Sequence, residues 1–90
     1  MILPVLIGLR THESTRVARK VFEPVCWAED AEPEFVSVAS YDSRADGVTT
    51  VPTIRVYDDA DPYGDPLVEH VGAVDADSIR ALLTEARTMI

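Results

Sequence analysis

Gly47-Val48-Thr49-Thr50-Val51-Pro52-Thr53-Ile54-Arg55-Val56-Tyr57 decides how this chain is read. Glycine opens a turn, a short approach follows, and a proline stands before an alternating run. Proline has no N–H to give to a sheet ladder, so it belongs at a strand's first residue or on an edge. A strand is therefore expected over Thr53 to Asp58. Beyond it come a polar loop from Asp59 to Pro66 and a second short strand from Leu67 to Val71. The Pro-Tyr-Gly-Asp-Pro core of that loop carries hairpin-turn chemistry. Gly72 follows, and Asp75 is placed to cap a last helix with apolar positions Ile79, Leu82, Leu83 and Ala86.

Upstream, Val5 to Leu9 is a short continuous apolar run, as expected of a strand buried on both faces. Thr11 to Thr15 supplies helix-start chemistry: Thr11 or Ser14 can cap, and Glu13 suits the positive end of the helix dipole. Val17, Val21 and Val25 recur at intervals of four, with Ala18 and Phe22 beside them, which predicts the buried face of a helix. Pro24 should kink this helix or mark its final turns. An acidic loop, Glu29 to Glu34, leads to an alternating run from Phe35 to Tyr41 that reads as a strand. Tyr41 to Gly47 leaves room for about one helical turn. The order is βαβ, a short turn, then ββα, with the first two strands parallel by the right-handed crossover rule.

Ninety residues make a single domain, 1–90, able to bury one core. A charged fraction of 27% beside 47% apolar residues argues against disorder. The net charge of −8 opposes non-specific nucleic-acid binding, which needs clustered Lys and Arg. Arg16, Arg19 and Lys20 do cluster, and read as the solvated face of a helix. Cys26 is the only cysteine, so no disulfide framework exists. The apolar Ile2 to Leu9 lacks a basic leader and a cleavage site and is too short to span a bilayer. A cytoplasmic protein, or one inside a cytosolically assembled particle, is expected, with no membrane partner.

The segment Gly47 to Tyr57 resembles the cis-proline segment of thioredoxins and glutaredoxins, and the strand, Gly72 and capped helix that follow extend the resemblance to about Ala86. It implies an α/β, minimal thioredoxin-like fold, βαβ-ββα, with two main helices and a four-stranded mixed sheet in the order 2-1-3-4. It implies a cis Val51–Pro52 bond, with Thr50, Val51 and Pro52 offering main-chain groups to an extended peptide, glutathione included. It also places Asp75 to Ser78 where glutaredoxins hold a glutathione carboxylate. The family's nucleophilic cysteine stands at the first helix's N-terminus, where the dipole stabilises a thiolate. Here Glu13, Ser14, Thr15 and Arg16 occupy that position. One alignment sets Glu13 and Arg16 on the two cysteines, another Ser14 and Val17, a third Arg16 and Arg19. None supplies a thiol, so dithiol–disulfide exchange is excluded.

Other candidates read plainly. Cys26 lies roughly three turns into the helix, the wrong end for activation, and is expected buried and inert. Trp27 reads as a packing residue at the helix end. Ser14 or Thr15 is a cap, or else a hydroxyl acting on a bound thiol. Asp58, Asp59, Asp61 and Asp65 start like a calcium loop, but His70 stands where the bidentate Glu belongs. His12 and His70 have no ligand spacing with Cys26. No metal or cofactor is called for. Strand alternation puts Arg55 and Tyr57 on the thinly covered face of the sheet, as a candidate partner surface, with Arg55 meeting solvent, an acid such as Glu69, or a partner. The functional expectation is a redox-inactive interaction or assembly module, an adaptor or a structural subunit of a complex such as a virion. Its partner would be another protein chain or a second copy. The alternative is a glutathione or small-thiol binder, or a glutaredoxin-like enzyme, using the cis-proline site with Ser14 or Thr15.

Overall fold

The computed structural model describes all 90 residues. Its elements are β1 (Ile2–Gly8), α1 (Glu13–Ala28), β2 (Glu34–Ser37), a 3-10 turn (Ser43–Ala45), β3 (Thr53–Asp58), β4 (Val68–Val71) and α2 (Ala76–Arg87). The sheet order is β2-β1-β3-β4, as the resemblance implied. β1 runs parallel to β2, with Ile7 opposite Val36, and antiparallel to β3, with Ile7 opposite Thr53. β4 completes the hairpin, Arg55 facing Glu69. No helix is long and apolar enough to cross a membrane.

β2 stops at Ser37 rather than reaching Tyr41. The Ser37 hydroxyl accepts from Ala39 N–H at 3.2 Å and its carbonyl accepts from Ser40 N–H at 3.0 Å, folding the chain into a turn. Side-chain bonding of this kind competes with a sheet ladder. Tyr41 is left wholly exposed.

α2 buries Ile79, Leu82, Leu83 and Ala86, and Asp75 caps it by accepting from Ser78 N–H at 2.8 Å. α1 departs from expectation. Its buried residues are Thr15, Ala18, Phe22, Val25 and Cys26, while Val17 is 53% exposed. A step of four residues overshoots a full turn by about 40°, so the row Val17, Val21, Val25 drifts around the helix. Val25 lies on the core face, Val21 at its margin and Val17 outside it. Neither Thr11 nor Ser14 caps α1: His12 is the N-cap, and its side chain makes no capping bond. Pro24 falls within the last turns, and the helix continues to Ala28.

The sheet has two unlike faces. Both helices cover one, around Leu6, Phe22, Ile54, Val56, Ile79 and Leu83. On the other, a smaller cluster of Val5, Ile7, Val36, Ala45 and Tyr57 lies beneath the 3-10 turn. Arg44 pins that turn. Its guanidinium donates to both Asp42 carboxylate oxygens, at 3.0 and 2.7 Å, and to Glu34 at 2.7 Å, and the Tyr63 ring lies 4.7 Å from it. The Arg44 side chain is 5% exposed, so this is a desolvated, charge-assisted network in which Nε and Nη2 do the donating.

Candidate functional site

The carboxyl end of β1, the start of α1, the cis-proline segment and the end of β4 converge at one end of the sheet. Thr15 fixes the first two together. It is fully buried, and its Oγ1 accepts from Leu9 N–H at 3.2 Å. Gly8 makes room for it: a Cβ there would lie 2.6 Å from Thr15 Oγ1. Thr15 is thus a strut between β1 and α1, neither a cap nor a hydroxyl open to a ligand.

Glu13, Ser14 and Arg16 are exposed, and Arg16 pairs with Glu13 at 2.8 Å. The Ser14 hydroxyl has no base hydrogen-bonded to it, so nothing activates it as a nucleophile. Ser14 instead edges a cleft of about 240 Å³, lined also by Val17, Ala18, Ala73 and Val74.

The Val51–Pro52 bond is cis. Pro52 is buried, Val51 half-buried and Thr50 exposed. Two bonds shape this segment. Thr53 Oγ1 donates to the Thr50 carbonyl at 2.7 Å, and Gly72 N–H donates to the Pro52 carbonyl at 2.8 Å. Gly72 sits at φ +95°, a left-handed conformation that a side chain would strain. The next residue, Ala73, lines the cleft, so the same hydrogen bond joins the proline segment to it. With Thr50 and Pro52 carbonyls taken, the Val51 N–H and C=O are left without an intrachain partner. Val71, at the end of β4, is 54% exposed. Val71 lines a pocket with Thr50, and Val17 lines the cleft with Ala73, so exposed valines flank the segment that carries the free main-chain groups; the exposure of Val17 is concealed in the sequence by its place in the valine row.

Arg55 and Tyr57 do not form an exposed partner surface. Tyr57 is 2% exposed, and its hydroxyl donates to the Arg44 carbonyl at 3.4 Å. The Arg55 side chain is 15% exposed and donates to Glu69 at 2.6 Å and to the Arg44 and Asp46 carbonyls at 2.9 and 2.8 Å. Alternation placed both on the correct face; the turn that covers them is what the sequence concealed. Glu69 is the acid expected opposite Arg55.

Cys26 is fully buried, and burial pushes its thiol up to about 12, with the Glu23 charge adding to the effect and Arg87 opposing it. Such a thiol is unreactive at neutral pH. Trp27 is 59% exposed rather than packed: it follows Cys26 by about 100° around the helix and so leaves the core face. At α2, the Asp75 carboxylate accepts from one of the N-terminal donors, Ser78 N–H, and this bond holds it below the usual carboxylate range.

No protein-family model and no curated protein matches the chain. Solved structures do. One titled "Structure of a malarial protein" superposes with a TM-score of 0.73 at 11% identity, covering 96% of this chain and 97% of its own. Oxidised thioredoxin from Plasmodium falciparum superposes with a TM-score of 0.70 at 16% identity, covering 93% of this chain and 79% of its own. The fold is thioredoxin-like. At these identities the likeness concerns the fold alone.

Proposed function

We propose that this chain is a redox-inactive interaction or assembly module, an adaptor or a structural subunit of a larger, cytosolically assembled complex such as a virion. It would hold an extended segment of another protein chain along Thr50-Val51-Pro52. The observation that carries this reading is the free Val51 N–H and C=O at an end of the sheet that has no thiol, with exposed Val71 in the pocket next to Thr50 and exposed Val17 in the cleft joined through Ala73. Main-chain pairing gives affinity to an extended peptide, and a flanking apolar cleft gives preference among side chains. The cleft beside Ser14, Val17 and Ala73 suits an aliphatic residue of the partner.

The glutathione reading has less support. Its carboxylate would need the α2 N-terminus, where Asp75 already accepts from Ser78 and Asp77 adds a further charge. An anion brought there meets the like charge of both acids.

A display selection for peptides that bind the chain, followed by amide mapping, tests the proposal. The Val51, Gly72 and Ala73 amides should shift, and Val17→Asp should weaken binding by about tenfold through loss of apolar contact. Peptides that map elsewhere would overturn it. So would catalytic insulin reduction that is lost in Cys26→Ser. Saturable shifts at Val51 and Ser78 on adding glutathione would favour the small-thiol reading.

A further inference from the structure

Four of the chain's eight basic residues, Arg10, Arg16, Arg19 and Lys20, lie within one short span, in a chain with sixteen acids. The last three lie on α1, and Arg10, from the connection before it, meets Arg19 at the ring of Phe35. Arg16, Arg19 and Lys20, with Glu23 and Pro24, line an open groove of about 380 Å³. Arg19 and Arg10 both stack on Phe35 of β2, with guanidinium carbons 4.8 and 5.5 Å from the ring centroid, which fixes the groove's β2 side. Glu13 and Glu23 neutralise Arg16 and Arg19. Arg10 and Lys20 have no ion-pair partner. In an acidic chain, exposed cations left without a partner are a charge asymmetry of the surface.

The opposite asymmetry lies in the β3–β4 loop. Asp59, Asp61 and Asp65, and Asp58 at the end of β3, form no ion pair within the chain. Tyr63, in the same loop, stacks on Arg44 and so carries the loop onto the turn-covered face of the sheet. The groove is on the helical side. One molecule cannot bring its own loop to its own groove, but two molecules can.

We infer that the α1 groove seats the acidic β3–β4 loop of a second copy of this chain. Asp59 and Asp65 meet Arg10 and Lys20, and the aliphatic stems and Pro24 form the floor. The two surfaces differ and face opposite ways, so the contact is head-to-tail rather than the self-complementary contact of a two-fold dimer. Each assembly keeps one free groove at one end and one free loop at the other, and it grows with concentration. Long-range repulsion between copies of charge −8 opposes this at very low salt. Moderate salt screens that repulsion over about 10 Å before it weakens the contact pairs, and about 1 M salt removes both. Association should therefore peak at intermediate ionic strength. This contact does not involve the Val51 edge and stands or falls independently of the peptide-binding proposal.

Sedimentation velocity up to millimolar concentration tests it on the intact chain. The wild type should show an average mass that rises continuously with concentration. Arg10→Glu/Lys20→Glu and Asp59→Lys/Asp65→Lys should each lose association by at least about tenfold, since each sets like charges in contact. Mixing the two variants restores opposite charges at every contact, so the mixture should associate where neither does alone. Circular dichroism confirms that both are folded, and Arg10→Gln/Lys20→Gln gives a milder test if the reversal unfolds the chain. A monomeric wild type at every salt concentration would overturn the inference. So would a closed dimer of constant mass, a mixture that stays monomeric, or a groove that binds only an unrelated acidic peptide such as polyglutamate.

Discussion

The two faces of the sheet achieve burial by different means. The helical face is apolar and continuous, from Leu6 and Ile54 through Phe22 to Leu83. The other has five buried apolar residues and a three-residue turn where a helix would be too long to fit. There, polar groups complete the cover: Arg44 grips Asp42 and Glu34, while Arg55 and Tyr57 reach up from β3 to the turn's own carbonyls. An apolar layer tolerates approximate placement because its attraction has no direction. A polar cover works only when each donor finds its acceptor, since a buried group left alone costs more than the bond gains.

The sharpest way to break the comparison is to damage each face in turn. Phe22→Ala, at a fully buried position, should cost about 3–5 kcal/mol in urea denaturation, the usual range for a buried aromatic. In a domain of this size that removes much of the total stability. Arg44→Met should cost about 2 kcal/mol, below the value for a wholly buried pair because Glu34 and Asp42 remain partly solvated. Its amides from Asp42 to Thr50 should exchange faster while those of α2 do not. If α2 loosens equally, the two faces are one cooperative unit. Tyr57→Phe removes one long hydrogen bond and should cost about 0.5–1 kcal/mol.

Acidity separates the faces further. The Arg44 hydrogen bond holds the Asp42 carboxyl below its ordinary range. A depressed folded pKa gives stability that is present above the unfolded value and is lost as pH falls through the folded one. The turn should therefore loosen at pH below the usual carboxylate range, and Arg44→Met should abolish that step. Cys26 behaves in the opposite sense on the helical face. With its thiol pushed up to about 12, unfolding favours ionisation, so stability should fall as pH rises from the ordinary thiol range toward that value, and Cys26→Ala should flatten the decline. At neutral pH, alkylation of Cys26 should proceed only as fast as the chain opens.

Much of the helical face was legible in the sequence. Ile79, Leu82, Leu83 and Ala86 keep helical spacing behind a capping Asp75, and all are buried. α1 was less legible, because a valine row at intervals of four reads as a stripe until its drift is counted. The turn face was legible only in its alternation. Glu69 could be found opposite Arg55 from the hairpin register, since that pairing is local. Arg44 could not be read as the anchor: Glu34 and Tyr63 come to it from other elements, and no spacing marks such a meeting. At the candidate site, Thr50-Val51-Pro52 was read from a local pattern, whereas Thr15's role as a strut depends on the bare Cα of Gly8 across the connection.

On the turn, the acceptors for Arg55 and Tyr57 are main-chain carbonyls, which every amino acid carries. The side chains of Ser43 and Asp46 are exposed and take no part. Relatives of this chain should therefore vary freely at 43 and 46 while holding Arg at 44 and 55 and Tyr at 57, together with an unchanged connection length, because an inserted residue would carry the carbonyls out of reach.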